Sequence, residues 1–494
     1  MEAPDGLGGT LGVSHDSVAG TYTAVARIPF PGLALVDSDR QTARVAAWAG
    51  FLRGFCTEDS PILRIAVHQR CLPDDGAALR SWTGRHLAAD APKEAVAALT
   101  ELMEGAGPAA TTRETYLAVT LSVPRARPAV KGAGGGQVGA AAVLVRELHA
   151  MHGSLSSASL QVVEWLAPRA LAHVVRTAYD PEAQLMLATR NSAAQAPDWQ
   201  GLEPGVAPEL AGPAYAETDW GTYRHDGAWT VSYQVRTWPQ TDVYATFLQP
   251  MLRPRQNARR SLSIAYEPIG PRRARQDLAR EKAKREAARK LRARTGQDES
   301  ADELLESQKA RAQDVARAMG QGVVRLTAVL AVTVTDPGEL ETACAELQAD
   351  AAASGLEPRR MWGAQDAGFA AAALPLGQGL PDRRRSDSDA VVHAVVEVQV
   401  IVDVVVDAVS DAVVGAAVVQ APRRRRHLPE GFRVRRGHRP GTATRFTAIA
   451  QYSNQPPVKA RMRLTFRDRD LKRLLAAPRP AEAARPAREE AGRG

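Results

Sequence analysis

The spacing of hydrophobic and polar residues along the chain changes between two periods, which predicts a mixture of strands and helices. Residues 21–28 and 62–73 are rich in closely spaced apolar and β-branched residues, as is typical of strands. Between them, the segment that begins at Ser38 has helical spacing and a residue type that favours the N-cap. A further helical pattern covers residues 92–105 and opens with Pro92, which suits a first helical turn.

The order strand, helix, strand recurs later in the chain. One copy comprises residues 115–123, 139–153 and 160–166, and another comprises residues 323–335, 337–355 and 357–366. Such units place their strands in one sheet and their helix on a face of it. We therefore expect an α+β fold built from tandem ferredoxin-like strand-helix-strand modules.

An aromatic segment separates these units. Residues 218–239 are predicted to form a β-hairpin that turns at Asp226 and Gly227. Its aromatic and neighbouring residues have two open interpretations, packing of a sheet or module interface and a surface for a partner. The candidate residues are Trp220, Tyr223, Arg224, Asp226, Trp229, Tyr233, Trp238 and Pro239.

Composition and charge divide the chain further. Aromatic residues make up only 5%, so small Ala and Val are expected to fill much of the core. The formal net charge is +8, yet residues 253–294 carry 15 Lys and Arg against 4 Asp and Glu, and residues 421–494 carry 20 against 6. The remainder of the chain is therefore acidic, and two basic segments supply the excess.

The first basic segment belongs to a charged helical insertion predicted over residues 271–320. A solvated charged helix, contact with an anionic lipid surface or a partner, and binding of nucleic acid are the open interpretations. Asp277 is spaced to pair with Arg273 along such a helix. The candidate contact residues are Arg272, Arg273, Arg275, Arg280, Lys282, Lys284, Arg285, Arg289 and Lys290.

The C-terminal part differs in kind from the rest. Residues 387–420 are mostly Val, Ala and Asp without turn signals, and an Arg-rich stretch without periodicity follows. We interpret residues 381–494 as a low-complexity tail that is disordered or arises from a frameshift. The predicted segments are thus a flexible leader 1–19, α+β modules 20–110 and 111–215, the aromatic hairpin region 216–270, the helical segment 271–320, a closing module 321–380 and the tail 381–494.

Motifs for catalysis are weak. The glycine-rich stretch 132–139 lacks the Lys-Ser/Thr of a phosphate-binding loop, and its G-x-G-x-x-G order has no clear acidic ribose partner. His149 and His152 lie three residues apart without a third metal ligand nearby. We expect neither an enzyme nor a cofactor, metal or small-molecule substrate, although a nucleotide-binding enzyme that uses the glycine loop remains a minor alternative.

Targeting signals are also weak. We find no secretory leader, and the Val-rich stretch 391–419 is interrupted by several acidic residues, which disfavours a membrane span. Three scattered cysteines, Cys56, Cys71 and Cys344, are expected to be reduced and structural. We expect a cytoplasmic protein, peripherally associated with the cell membrane.

The aromatic segment and the residues after it form a specific pattern. Its members are Trp220, Tyr223, Arg224, Asp226, Tyr233, Trp238, Pro239, Phe247, Leu248, Pro250, Glu267 and Pro268. This pattern resembles a family of actinobacterial proteins encoded in conjugative and secretion gene clusters. The resemblance covers about residues 20–380, and further shared elements lie at residues 70–76 and 365–380.

This resemblance implies a role in a type IV secretion or conjugal transfer apparatus. Family members resemble the non-ATPase, amino-terminal half of the assembly ATPase, and a separate motor ATPase and inner-membrane channel proteins are the implied partners. The implied function is a non-catalytic docking component. The alternative is a nucleic-acid-binding protein that uses the basic helix 271–294 and the basic tail.

Overall fold

The computed structural model describes two units of the chain, Met1–Val418 and Val419–Gly494. The described residues are 1–4, 9–28, 38–73, 83–84, 86–88, 90–106, 111–158, 160, 162–194, 201, 203–239, 247–252, 255, 258–277, 279–280, 283, 286–287, 322–380, 391–393, 433–436, 446–451 and 458–462.

In the first unit, the described strands form one antiparallel sheet. They are β1 (Glu2–Pro4), β2 (Thr10–Asp16), β3 (Thr21–Arg27), β4 (Ile62–Pro73), β5 (Thr111–Ser122), β6 (Glu164–Trp165), β7 (Ala216–Thr218), β8 (Tyr223–His225), β9 (Ala228–Thr237), β10 (Arg259–Ile269), β11 (Val323–Val334), β12 (Glu357–Arg360) and β13 (Val391–His393). The strand order is β1-β2-β3-β5-β4-β10-β11-β9-β8-β7, while β6, β12 and β13 pair with β3, β9 and β11.

The two central parts of this sheet repeat one strand order. In the first, β6, β3, β5 and β4 lie side by side, and in the second β12, β9, β11 and β10 do. If the four strands of each part are numbered by their position in the chain, their order across the sheet is fourth, first, third, second. The two parts are joined by strands β4 and β10, which pair antiparallel. Their pairing extends from Cys71 opposite Arg260 to Ile65 opposite Tyr266. One sheet thus runs through the predicted segments 20–110, 111–215, 216–270 and 321–380.

Helices cover both faces of the sheet. They are α1 (Ser38–Arg53), α2 (Lys93–Ala106), α3 (Val123–Gly132), α4 (Gly136–Ser157), α5 (Pro168–Tyr179), α6 (Ala183–Ala193), α7 (Leu340–Ala353) and α8 (Gln365–Ala373). One face is apolar and packs against α1, α4 and α7 in the largest hydrophobic cluster. The opposite face carries many polar residues and is covered by α5, α8 and residues 374–380. Small Ala and Val fill much of the core, as predicted.

Several local predictions are confirmed. Strand β4 has the predicted limits, α1 begins at Ser38, and the antiparallel hairpin of β8 and β9 turns at Asp226 and Gly227. Asp226 adopts a positive φ of 44°, a conformation that Asp tolerates better than most residues. The mixed α+β character of the fold is likewise borne out.

Other predictions need correction. Residues 123–132 form α3, although Val123 was expected to end a strand and a loop was expected to follow it. The strand predicted over residues 160–166 is reduced to the two residues of β6. Pro124 stands in the first turn of α3, where its missing N–H costs no hydrogen bond, and so helps to start a helix. Residues 271–277 of the predicted charged insertion are helical, and most of the rest of that insertion lies outside the described residues.

The second unit contains a small antiparallel sheet. Its described strands are β14 (Arg433–Arg436), β15 (Phe446–Gln451) and β16 (Val458–Met462), in that order. The predicted tail also contributes β13, which pairs with residues 323–325 of β11 in the first unit. Disorder of the whole tail is therefore not confirmed.

Candidate interaction surface

The aromatic hairpin divides its side chains between core and surface. Tyr223, Tyr233 and Trp238 are buried, and Tyr233 is 0% exposed. Tyr223 packs against the rings of His225 and Phe369, with centroid distances of 5.2 and 5.3 Å, and burial raises its pKa to about 12. These side chains of the candidate set therefore serve packing.

Two further candidates hold loops in place. The Oδ1 atom of Asp226 accepts hydrogen bonds from the backbone N–H groups of Ala214 and Tyr215, at 2.8 and 3.1 Å. Its Oδ2 atom lies 3.1 Å from the Arg176 guanidinium. Pro239 packs against Gly355, whose φ of +68° favours glycine. Asp226 thereby fixes the segment that leads to Tyr215.

Trp220 lies at the surface beside a second tryptophan that the sequence analysis did not single out. Trp220 is 72% exposed and Trp362 is 45% exposed. Each ring lies over the glycine that follows the other tryptophan: a Cβ atom on Gly221 would approach Trp362 to 2.6 Å, and one on Gly363 would approach Trp220 to 2.7 Å. The backbone N–H of Gly363 also donates to the carbonyl of Trp220 at 2.6 Å. The two Trp-Gly loops therefore interlock.

Arg360 fastens these loops together. Its Nε and Nη2 atoms donate to the carbonyl of Gly221 at 3.0 and 2.9 Å. The guanidinium carbon lies 4.6 Å from the centre of the Trp362 ring, within the range of a cation–π contact. A third contact joins it to Glu341 at 3.6 Å. One arginine thus orders both tryptophan loops.

A second arginine stacks between aromatic rings close by. The guanidinium carbon of Arg224 lies 5.2 Å from the ring centres of both Tyr215 and Trp229. Tyr215 is 45% exposed, Trp229 is half-buried, and the Tyr215 hydroxyl donates to Glu217. The two ring contacts hold the exposed Arg224 at the surface.

These residues share one edge of the sheet. Strands β8 and β12 pair with the same edge of β9. The loop before β8, which contains Trp220, meets the loop after β12, which contains Trp362. We call this set the aromatic–arginine surface; it comprises Tyr215, Trp220, Arg224, Trp229, Arg360 and Trp362. Trp, Tyr and Arg are the residue types that dominate the energetic centres of protein interfaces.

The candidate basic helix is only partly described. Arg272, Arg273, Arg275 and Arg280 are among the described residues, whereas Lys282, Lys284, Arg285, Arg289 and Lys290 lie outside them. The backbone N–H of Arg272 donates to a carboxylate oxygen of Glu58, which caps the first turn. The predicted pair of Arg273 and Asp277 is present at 3.9 Å, with Arg273 61% exposed.

The glycine-rich loop joins two helices instead of following a strand. Helix α3 ends at Gly132, and α4 begins at Gly136. Gly139 packs against the carbonyl of Val130, where a Cβ atom would collide. A dinucleotide fingerprint requires a strand before the loop, so the structural context does not support that alternative.

Other chemical groups are placed as follows. Cys56, Cys71 and Cys344 are buried and free, as predicted. In the part of the chain that the structure describes, no group of His, Cys, Asp and Glu is arranged to hold a metal ion. Among the same residues, every helix is too short or too polar to span a bilayer.

The sequence signal for the missed part of the surface is a repeated dipeptide. Trp-Gly occurs at 220–221 and again at 362–363, and only the first copy lies in the aromatic hairpin. Comparison of the sequence with protein-family models and with curated proteins returned no match.

Proposed function

We propose that this protein is a non-catalytic docking component of a type IV secretion or conjugal transfer apparatus at the cytoplasmic face of the membrane. It would contact a separate motor ATPase and inner-membrane channel proteins. The resemblance of the aromatic block suggests the machine. The observation that carries the docking role is the exposure of Trp220 and Trp362 on interlocked loops.

The rigidity of this surface supports binding. Immobilising a flexible side chain on association costs about 0.5–1.5 kcal/mol, so groups that are already fixed bind with a smaller loss. Trp220 and Trp362 are fixed by glycine contacts, and Arg360 and Arg224 are fixed by stacking. A partner can therefore bury these rings without first ordering them.

The scaffold beneath the surface is proposed to consist of two ferredoxin-like modules joined at β4 and β10. Support comes from the repeated strand order, fourth, first, third, second, with antiparallel neighbours throughout. Under this proposal the two modules present a rigid sheet edge to the partner.

Co-purification with the motor ATPase encoded in the same gene cluster tests the role. Trp220→Ala and Trp362→Ala should each weaken the complex by about tenfold or more, because central tryptophans typically contribute at least 2 kcal/mol. Val138→Ala is the matched control, since Val138 is 76% exposed on α4, outside the surface.

Two outcomes would contradict the proposal. One is undiminished binding by both tryptophan variants. The other is ATP hydrolysis by the purified full chain alone, because the proposal assigns the energy-consuming step to the partner.

A further inference from the structure

The sheet of the first unit ends in two strands that differ in how well they are covered. At one end lies β1, where Ala3 is buried in the large apolar cluster and Pro4 has no backbone N–H to donate. At the other end lies β7, whose three residues are all exposed. We call the side of β7 that faces away from β8 the β7 edge. An exposed strand edge presents backbone donors and acceptors to which a further strand can bind.

The register of the hairpin shows which backbone groups of this segment face β8. The backbone N–H of Asp219 donates to the carbonyl of Thr222 at 2.9 Å, and that of Asp226 donates to the carbonyl of Tyr215 at 2.9 Å. In an antiparallel pair, hydrogen-bonded residues alternate with non-hydrogen-bonded ones. The backbone groups of Tyr215, Glu217 and Asp219 are therefore directed toward β8.

The backbone groups of Ala216 and Thr218 are directed the other way. These two residues form the non-hydrogen-bonded pairs with His225 and Tyr223 of β8. Both are exposed, and among the described residues none forms a backbone hydrogen bond with their outer side. The β7 edge thus offers two N–H groups and two carbonyl groups with the spacing of a strand.

The outermost side chains along this edge are acidic. Glu217 and Asp219 are both exposed, and they lie on the same face because residues two apart in a strand share a face. Arg224, the register partner of Glu217, lies on the β8 side and is stacked between the rings of Tyr215 and Trp229. A strand added beside β7 would therefore meet the two carboxylates first.

These carboxylates disfavour a second copy of the chain as the occupant. If two copies of β7 paired antiparallel through Ala216 and Thr218, Glu217 would lie directly opposite the Glu217 of the other copy. That position is a non-hydrogen-bonded pair, in which side chains are closest, and like charges opposite one another destabilise the pairing. A basic side chain at the same position would be attracted instead.

The β7 edge continues into the aromatic–arginine surface. Because Asp219 bonds to Thr222, the turn between β7 and β8 consists of Trp220 and Gly221. The Trp220 ring is 72% exposed at this turn. A strand advances about 3.3 Å per residue, so a segment paired with Thr218 reaches Trp220 within two further residues.

We propose that the β7 edge binds an extended segment of the docking partner, which joins the sheet as a further strand and carries Lys or Arg at alternate positions facing Glu217 and Asp219. In this mode of recognition, main-chain hydrogen bonds provide affinity and the alternate side chains provide specificity. The proposal rests on the docking role proposed above and adds the chemistry of the segment that the partner contributes.

The affinity of the full chain for the motor ATPase of the same gene cluster tests the backbone contacts. Ala216→Pro removes one outward N–H, and Pro is accepted in edge strands where that group faces solvent. This variant should bind about fivefold more weakly or worse, because a main-chain hydrogen bond to the partner is lost. Ala216→Val retains the N–H and should recover most of the affinity.

The same measurement tests the charge. Glu217→Lys should weaken binding about tenfold or more, because it places like charges opposite one another. Glu101→Lys makes the same change of charge at an exposed position of α2, outside the β7 edge, and should leave affinity unchanged. Circular dichroism confirms that each variant is folded.

Amide hydrogen exchange, resolved to single residues, reports on strand pairing directly. In the complex, the N–H groups of Ala216 and Thr218 should exchange about tenfold more slowly or less, because hydrogen bonding protects them. The N–H of Glu217 is directed toward β8 in the free chain and should change little. A contact through side chains alone would not produce this alternation.

The outcomes separate this proposal from the docking role. Weaker binding by Trp220→Ala and Trp362→Ala, with undiminished binding by Ala216→Pro and Glu217→Lys, would overturn strand addition and leave the docking role standing. Undiminished binding by all four variants would overturn both. Loss of affinity in Glu217→Lys without slower exchange at residues 216 and 218 would indicate a charge contact alone. Dimers of the isolated chain that Ala216→Pro abolishes would assign the β7 edge to a second copy, and either of these last two results would overturn the proposal.

Discussion

The two faces of the central sheet are built on different principles, and strand β4 carries both. On one face, Ile65 and Val67 join the large apolar cluster with α1, α4 and α7. On the other, Arg64, His68 and Arg70 are buried at 5%, 1% and 2% exposure. Alternation along one strand thus separates an ordinary hydrophobic core from a buried polar layer.

The difference shows what a buried polar layer requires. Arg70 lies 3.1 Å from Glu114, donates to the carbonyl of Val174 at 2.7 Å and donates to the Thr177 hydroxyl at 3.1 Å. Burying a charge is unfavourable unless such partners replace water. The apolar face needs only complementary volume, whereas the polar face depends on specific partners. Substitutions on the two faces should therefore differ in cost.

The largest effect is expected from Glu267→Ala. It leaves the Arg64 guanidinium buried without its carboxylate, and we expect the free energy of unfolding to fall by about 3–5 kcal/mol. On the apolar face, Ile65→Val removes one methylene and should cost about 0.5–1.5 kcal/mol. Urea titrations of both variants measure the contrast, and equal costs would contradict it.

Gly377→Ala is expected to have an intermediate effect. Gly377 has a φ of +71°, and a Cβ atom there would fall on the hydroxyls of Thr23 and Thr120, which share a hydrogen bond of 3.0 Å. Backbone strain and overpacking together should cost about 2–4 kcal/mol. Gly153→Ala on α4 is the control, because that position has open space. An unchanged thermal unfolding midpoint in Gly377→Ala would contradict this prediction, because it would show that the polar layer accommodates the added methyl group without cost.

The smallest effect concerns pH. Burial lowers the pKa of His68 to about 4, and the charges of Arg64 and Arg70 act in the same direction. As pH falls below about 6.5, the unfolded chain takes up a proton that the folded chain resists, so stability is lost between about pH 6.5 and 4.

Removing the imidazole should flatten this dependence. His68→Gln should lose about 1–2 kcal/mol less than the unsubstituted protein between pH 7 and pH 5, as measured by urea unfolding at both values. His173 and His225 also have pKa values lowered by burial, so some dependence remains in the variant. An identical slope in the two proteins would show that His68 does not contribute.

Much of the local structure could be predicted from the sequence. The limits of β4, the start of α1 and the turn at Asp226 follow from residue spacing and backbone preference over a few neighbours. The helix over residues 123–132 was missed because Pro124 and Pro128 disfavour a helical interpretation, although the first lies in the opening turn.

Only part of the aromatic–arginine surface could be predicted from the sequence of the hairpin. Trp220, Arg224 and Trp229 were recognised from their clustering, whereas Tyr215, Arg360 and Trp362 required the pairing of β8 and β12 along β9. The hairpin sequence also did not distinguish exposed Trp220 from buried Tyr233, because both are large aromatic residues.

The amino-acid sequence alone determined many of the helices and strands, such as β4 and α1, because those choices depend on interactions within a few residues. Only the tertiary structure decided the order of the strands, the buried polar layer on one face of the sheet and the pairing of Arg64 with Glu267. Arg64 and Glu267 are 203 residues apart in the chain. Their partnership depends on β4 pairing with β10, and local periodicity carries no information about which distant strand becomes a neighbour.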